Sequence, residues 1–149
     1  MTEDEIIAFV ETLPGVERQT AAPDDGSPEI AWGDTFFFYD PGADLPADRR
    51  FPFATIVTKD YPDFDTASDL DRSGVFRLNV WVSADTVAGL FSVDDEHDFT
   101  ALDVAMPHPI YGAQSWVSII NPGPASTELA ERLLTEAHAR AILRHERRR

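Results

Sequence analysis

Between Thr2 and Leu13, apolar residues recur at helical spacing (Ile6, Phe9, Val10, Leu13) behind a Thr2/Glu5 capping-box pattern, and Pro14-Gly15 ends the run. The pattern predicts an N-terminal helix. Residues 18–29 have turn composition and predict an exposed loop. Two apolar runs, Ile30 to Trp32 and Thr35 to Tyr39, flank Gly33-Asp34 as in a tight hairpin or a bulged strand. A second polar loop, Pro41 to Arg50, precedes a third strand at Phe53 to Thr58, and an acidic connection runs from Tyr61 to Gly74. Val75 to Val82 alternates most regularly, with Phe76, Leu78 and Val80 on one face and Arg77, Asn79 and Trp81 on the other. Ser83 caps a short helix reaching Phe91, and Phe99 to Met106 reads as another helical turn or two. Trp116 to Ile120 is a fifth strand, closed by Asn121-Pro-Gly-Pro124.

From Ser126 or Thr127 a long helix follows, with Leu129, Leu133, Ala137 and Ala141 as its apolar stripe. Glu128 and Glu131 lie in its first turns and Arg140, Arg144 and the terminal arginines near its end, the charge order a helix macrodipole favours. Most of the strands are too close together for parallel crossovers. The expected fold is α+β: one antiparallel sheet of about five strands, flanked by N- and C-terminal helices, with a short helical insertion before the last strand. At 149 residues, 1–149 is expected to form one domain.

Composition narrows the function classes. The absence of cysteine removes disulfides, thiolate metal sites and cysteine nucleophiles. An acidic N-terminus and the lack of any apolar run near 20 residues argue against a signal peptide or a membrane span, so a soluble, cytoplasmic protein is expected. With 27 acidic against 12 basic residues, the chain disfavours nucleic acid, whose backbone demands many Lys or Arg contacts. Charge is also uneven: residues 60–103 carry eleven acids and two arginines, whereas 132–149 carry six arginines and two glutamates.

The chemistry-bearing candidates are few. His108 lies between two prolines with Tyr111 and Trp116 nearby, either a rigidly presented acid-base or ligand-orienting group or a structural loop entering the fifth strand. Lys59, the only lysine, stands beside Asp60, which reads as its ion-pair partner unless the ammonium holds a carboxylate or phosphate or, with a lowered pKa, acts as a base. Arg77 and Asn79 share a strand face and either anchor a ligand or face solvent. The Asp63 to Asp71 run fails as a calcium loop, because the sixth position is Ser68 where glycine is needed and the twelfth is Gly74 where glutamate is needed. Asp94 to Asp98 reads as a solvated loop, and no Gly-x-Ser-x-Gly elbow is present. No metal or cofactor is expected.

The Ile6-x-Ala8-Phe9 helix with Leu13-Pro14-Gly15, the run Trp32 to Tyr39, Phe53 to Asp60, Phe76-Arg77-Leu78-Asn79, His108-Pro-x-Tyr111 and Trp116-Val117 carry a resemblance over nearly the whole chain. On these residues the sequence resembles the family catalogued as domain of unknown function 6194, which implies no established activity. More distantly, the order of elements is similar to MmcQ/YjbR-like domains, which implies a frataxin-type arrangement and, for those domains, a suggested nucleic-acid role.

The leading expectation is a small binding protein with a pocket lined by Trp32, Phe38, Tyr111 and Trp116, and with His108, Lys59 and Arg77 as polar contacts. The alternatives are an enzyme of small-molecule metabolism using His108 as general acid or base, and a domain that binds a protein partner through the basic end of the last helix.

Overall fold

The structure, a computed structural model, describes residues 1–147. Arg148 and Arg149, the end of the basic tail, lie outside the described residues. Along the chain come α1 (Glu3–Glu11), β1 (Val16–Thr20), β2 (Thr35–Tyr39), β3 (Ala54–Val57), β4 (Arg77–Trp81), α2 (Ala84–Leu90), β5 (Ala105–Pro107), β6 (Trp116–Ile120) and α3 (Thr127–Arg147). The strands form one sheet in the order β1-β2-β3-β4-β6-β5, with every neighbouring pair antiparallel. The fold is therefore α+β with helices at both ends of the chain, as the periodicity predicts.

Local rules account for the helix ends. The Thr2 hydroxyl accepts the Glu5 N–H and the Glu5 carboxylate accepts the Thr2 N–H, a full capping box on α1. At the other end Gly15 adopts φ +74°, and a Cβ there would meet the Tyr39 ring at 2.6 Å, so the turn from α1 into β1 admits only glycine. Ser83 caps α2 by accepting the Thr86 N–H. Ser126 directly precedes α3 and its carbonyl accepts the Ala130 N–H, as that of a cap residue does. The Asp103 carboxylate takes the N–H groups of Gly123, Ala125 and Ser126 as well as the Ser126 hydroxyl.

Three segments differ from expectation. Residues 16–20 are a strand that takes in the first three residues of the expected loop 18–29; β1 is an edge strand, and Glu17, Arg18 and Gln19 give it no apolar alternation to read. Ile30 to Trp32 is not a strand, because Glu29–Ala31 forms one 3-10 turn that lets Ala21 and Gly33–Asp34 pair by backbone hydrogen bonds. The stretch expected to be helical up to Met106 ends instead in β5, whose Pro107 is tolerated because the strand lies at the open edge.

One face of the sheet receives α1 and α3. Ile6 and Val10 from α1 and Leu133, Leu134 and Ala137 from α3 are buried against Phe37, Ile56, Leu78, Val80 and Ile119. His138 donates Nε2–H to the Pro14 carbonyl at 2.7 Å and meets the Tyr39 and Phe53 rings edge-on at 5.7 and 5.9 Å, tying α3 to the α1–β1 turn. The opposite face carries Arg77, Asn79 and Ser118, all buried, although the described residues of α1 and α3 pack on the other side. The irregular segment 59–75 covers them, pinned by Leu70 in a small apolar cluster with Met106 and Ile120.

That cover is expected to be part of the cooperative fold. Leu70 is 1% exposed, so Leu70→Ala should lower unfolding free energy by roughly 2–5 kcal/mol in urea titrations. Val93→Ala, at a fully exposed position, should change it by less than about 0.5 kcal/mol.

Candidate functional site

The sequence-predicted residues separate into three places. The first is beneath segment 59–75. Arg77, with no exposed surface, donates from Nε to Asn79 Oδ1 at 2.9 Å, from Nη1 to Asp65 Oδ1 at 3.1 Å and Ser68 Oγ at 3.0 Å, and from Nη2 to Asp65 Oδ2 at 2.5 Å. The two Asp65 contacts form a bidentate pair, the strongest arrangement an arginine offers a carboxylate. Asn79 Oδ1 also accepts the Ser118 hydroxyl, and Asn79 Nδ2 donates to Thr55 Oγ1, so three strands share the network.

His108 closes it. Its Nδ1 lies 3.0 Å from the N–H groups of both Ile110 and Tyr111, and its Nε2 lies 3.1 Å from Arg77 Nη2 and 3.9 Å from Asp65 Oδ2; apart from Asp65 these neighbours are all donors, so the surroundings suit a ring with one proton and not two. Burial, then the Arg77 charge, push the imidazole pKa down to about 4, against a smaller opposing pull from Asp65. Protonation would also set an Nδ1–H against two backbone N–H groups. The Tyr111 ring packs 5.0 Å from the imidazole and is itself half open to solvent beside Phe64. Trp116 stands opposite Trp81 in the sheet, and its carbonyl accepts the His108 N–H.

The second place is around Asp34, which the sequence reading passed over. Its fully buried carboxylate accepts Thr58 N–H and Oγ1–H, both at 2.8 Å, the Lys59 ammonium at 3.1 Å and the Tyr61 hydroxyl. Lys59 also donates to the Trp32 carbonyl at 2.5 Å. Burial and the hydrogen bond to Asp34 push the Tyr61 pKa up, which keeps the phenol a donor. Asp60 is not the partner of Lys59. Its Oδ1 accepts the Leu70 N–H at 2.8 Å, shaping segment 59–75. The strand-end position of Lys59 was legible; its partner 25 residues upstream was not.

Phe38 marks the third place, a cavity of about 410 Å³ where the ends of β2 and β4 meet the loop before β3 and the last turns of α3. Phe38, Phe51, Phe53 and Trp81 supply its aromatic walls, and Arg49, Arg50, Arg144 and His145 its polar ones. The Arg50 guanidinium carbon lies 4.1 Å from the Phe38 ring centre, and that of Arg144 lies 4.2 Å from Phe51 and 5.4 Å from Trp81. Arg140 covers Trp81 at 3.8 Å. Trp81 therefore reaches round to α3, although alternation groups it with Arg77 and Asn79. The sequence signals for this site are the Arg49-Arg50 doublet beside Phe51 and the pair Arg140 and Arg144, one helical turn apart. Of the expected pocket residues, Phe38 alone lines it; Trp32, Tyr111 and Trp116 do not.

A family model described as "Family of unknown function (DUF6194)" matches residues 1–149. The chain belongs to this family. No curated protein and no solved structure matches this DUF6194 member. None of its described helices is long and apolar enough to cross a membrane.

The buried histidine makes stability depend on pH. Above about pH 6.5 the ring is neutral in both folded and unfolded chains. Between there and about 4, the unfolded chain takes up a proton that the folded protein refuses, so stability falls as pH falls. The loss attributable to His108 should reach roughly 3 kcal/mol at the bottom of the window. Urea titrations from pH 7 to 4.5 should show wild type losing ground to His108→Gln; parallel pH profiles would mean the ring is not held neutral.

Proposed function

We propose that this DUF6194 protein is a single-domain binder of a small molecule and that the ligand occupies the cavity between Phe38, Phe51, Trp81 and the end of α3. The observation that carries this reading is the cavity itself. Its volume of about 410 Å³ falls in the range of small-molecule sites, roughly 300–1,000 Å³, and its lining combines apolar rings with a few polar groups. Phe51, 48% exposed, stands at its rim, where a ligand would cover it.

The other sequence-predicted residues fit scaffold roles better. Both nitrogens of His108 lie against protein N–H groups and the residue is 6% exposed, packed against Tyr111, so a substrate would have to displace protein groups to reach it. Arg77, Asn79, Lys59 and Asp60 are likewise committed to protein partners. The basic end of α3, the alternative site for a protein partner, contributes Arg144 and His145 to the cavity wall.

A thermal-shift screen of metabolites against wild type, Phe51→Ser and His108→Gln tests the assignment. A ligand at 100 times its Kd should add about 2.7 kcal/mol of stability. The shift should be largely lost in Phe51→Ser and retained in His108→Gln. The reverse pattern would move the site to the Arg77 network and overturn this reading.

A further inference from the structure

The cavity has a charge opposite to that of the molecule around it. Acidic residues outnumber basic ones by 27 to 12, yet the described lining holds three arginines and no acid. Such a reversal is not expected of a random patch on this chain, and it defines the sign of what the cavity attracts.

One arginine is also incompletely satisfied. Arg50 Nε is buried and has no hydrogen-bond partner. The nearest carboxylate oxygen, Asp40 Oδ2, is 3.9 Å away, close enough for an ion pair and beyond hydrogen-bond distance. Asp40 is itself buried and occupied elsewhere, its two oxygens accepting the Asp44 and Leu45 N–H groups at 3.2 and 3.3 Å. Buried donors normally find an acceptor, and one left over beside a cavity marks where an acceptor from outside the chain belongs. The Arg50 guanidinium is held over the Phe38 ring, which fixes its position and leaves its N–H groups to donate in its own plane. In that plane, carboxylates and phosphates accept two parallel hydrogen bonds. Arg49, the preceding residue, adds a second positive charge at the same end.

Apart from Arg144 and His145, the remainder of the lining is mostly aromatic, with Leu45 and Ala141 as its aliphatic members. Phe51, Phe53 and Trp81 are among these rings; Arg144 lies over Phe51 and Arg140 over Trp81, and a ligand ring would meet what those guanidinium groups leave uncovered. Rings favour offset or edge-on contact with other rings, and a rigid ring loses less torsional freedom on binding than a flexible chain.

We infer that the ligand is a planar aromatic oxyanion, a carboxylate or phosphate whose charged group is taken up by Arg50 with Arg49 and whose ring system packs on Phe51 and Trp81. This rests on the cavity being the ligand site. The shared chemistry of the two head groups is an oxygen pair accepting from one guanidinium, and the choice between them is made by experiment.

Four probes separate the possibilities by calorimetric titration of the full chain: 1-naphthoate, 1-naphthyl phosphate, the neutral 1-naphthalenemethanol and the aliphatic octanoate. At least one naphthyl anion should bind ten-fold or more tighter than the alcohol, and the tighter of the two identifies the head group. Octanoate should bind more weakly than naphthoate by a similar factor. In Arg50→Gln the preference for the anion should collapse while binding of the alcohol stays within two-fold. Arg50→Lys, which keeps the charge and loses Nε–H, should recover only part of it, and Arg49→Gln, at an exposed position, serves if either Arg50 variant melts early. Equal binding of alcohol and anions overturns the oxyanion and leaves the cavity reading intact. Octanoate matching naphthoate overturns the planar aromatic body. No binding of any probe overturns both this inference and the cavity reading beneath it.

Discussion

A guanidinium with no exposed surface lies in the middle of one face of the sheet, and the organisation of that half of the molecule follows from it. Charge taken out of water is costly unless nearly every donor is paired. Arg77 meets this demand with partners from its own strand, Asn79, and from segment 59–75, Asp65 and Ser68. The bidentate bond to Asp65 requires that segment to lie flat on the sheet, and Leu70 seals it with a small apolar cluster. A stretch without regular secondary structure thus does the work of a helix layer. His108 takes the last side of the guanidinium and can do so only as a neutral ring.

The same constraint explains why both faces of β4 are buried although its sequence alternates. Leu78 and Val80 meet the helices, while Arg77 and Asn79 face inward under segment 59–75. Polar residues on an alternating strand usually mean solvent, and here they mean a second, polar core. Asp34 repeats the logic on a smaller scale, since a fully buried carboxylate gathers Thr58, Lys59 and Tyr61 and so joins the start of β2 to the end of β3. Two of the buried acids, Asp34 and Asp65, absorb the lone lysine and the central arginine.

With those cations committed, much of the remaining positive charge gathers at the opposite end of the sheet. Arg50, Arg140 and Arg144 lie over aromatic rings, a placement that suits a weakly hydrated guanidinium. The result is a cationic, ring-lined cavity on an acidic protein. Its walls come from β2 with the loop that follows it, from β4 and from the last turns of α3, so the fold brings the parts of the candidate site together from three distant stretches of chain.

Local patterns decided a great deal. The capping box at Thr2, the stop at Pro14-Gly15, the cap at Ser83, the alternation of β4 and the apolar stripe of α3 each act over a few residues and could be read without knowing what they pack against. From them followed the two terminal helices, the antiparallel sheet and the α+β class. Edge strands escaped that reading: β1 and β5 owe their pairing to β2 and β6 and carry no apolar alternation of their own. The site escaped it for a related reason. That Lys59 pairs with Asp34 and not with its neighbour Asp60, that Arg77 faces inward, and that Phe38 shares a cavity with Arg50 and Arg144 are consequences of register and helix docking. The sequence determined which segments are helix or strand, because periodicity and capping are short-range. Which charges are buried, and which surround an open cavity, was decided only by the tertiary structure, because burial and pairing depend on residues brought together from far apart in the chain.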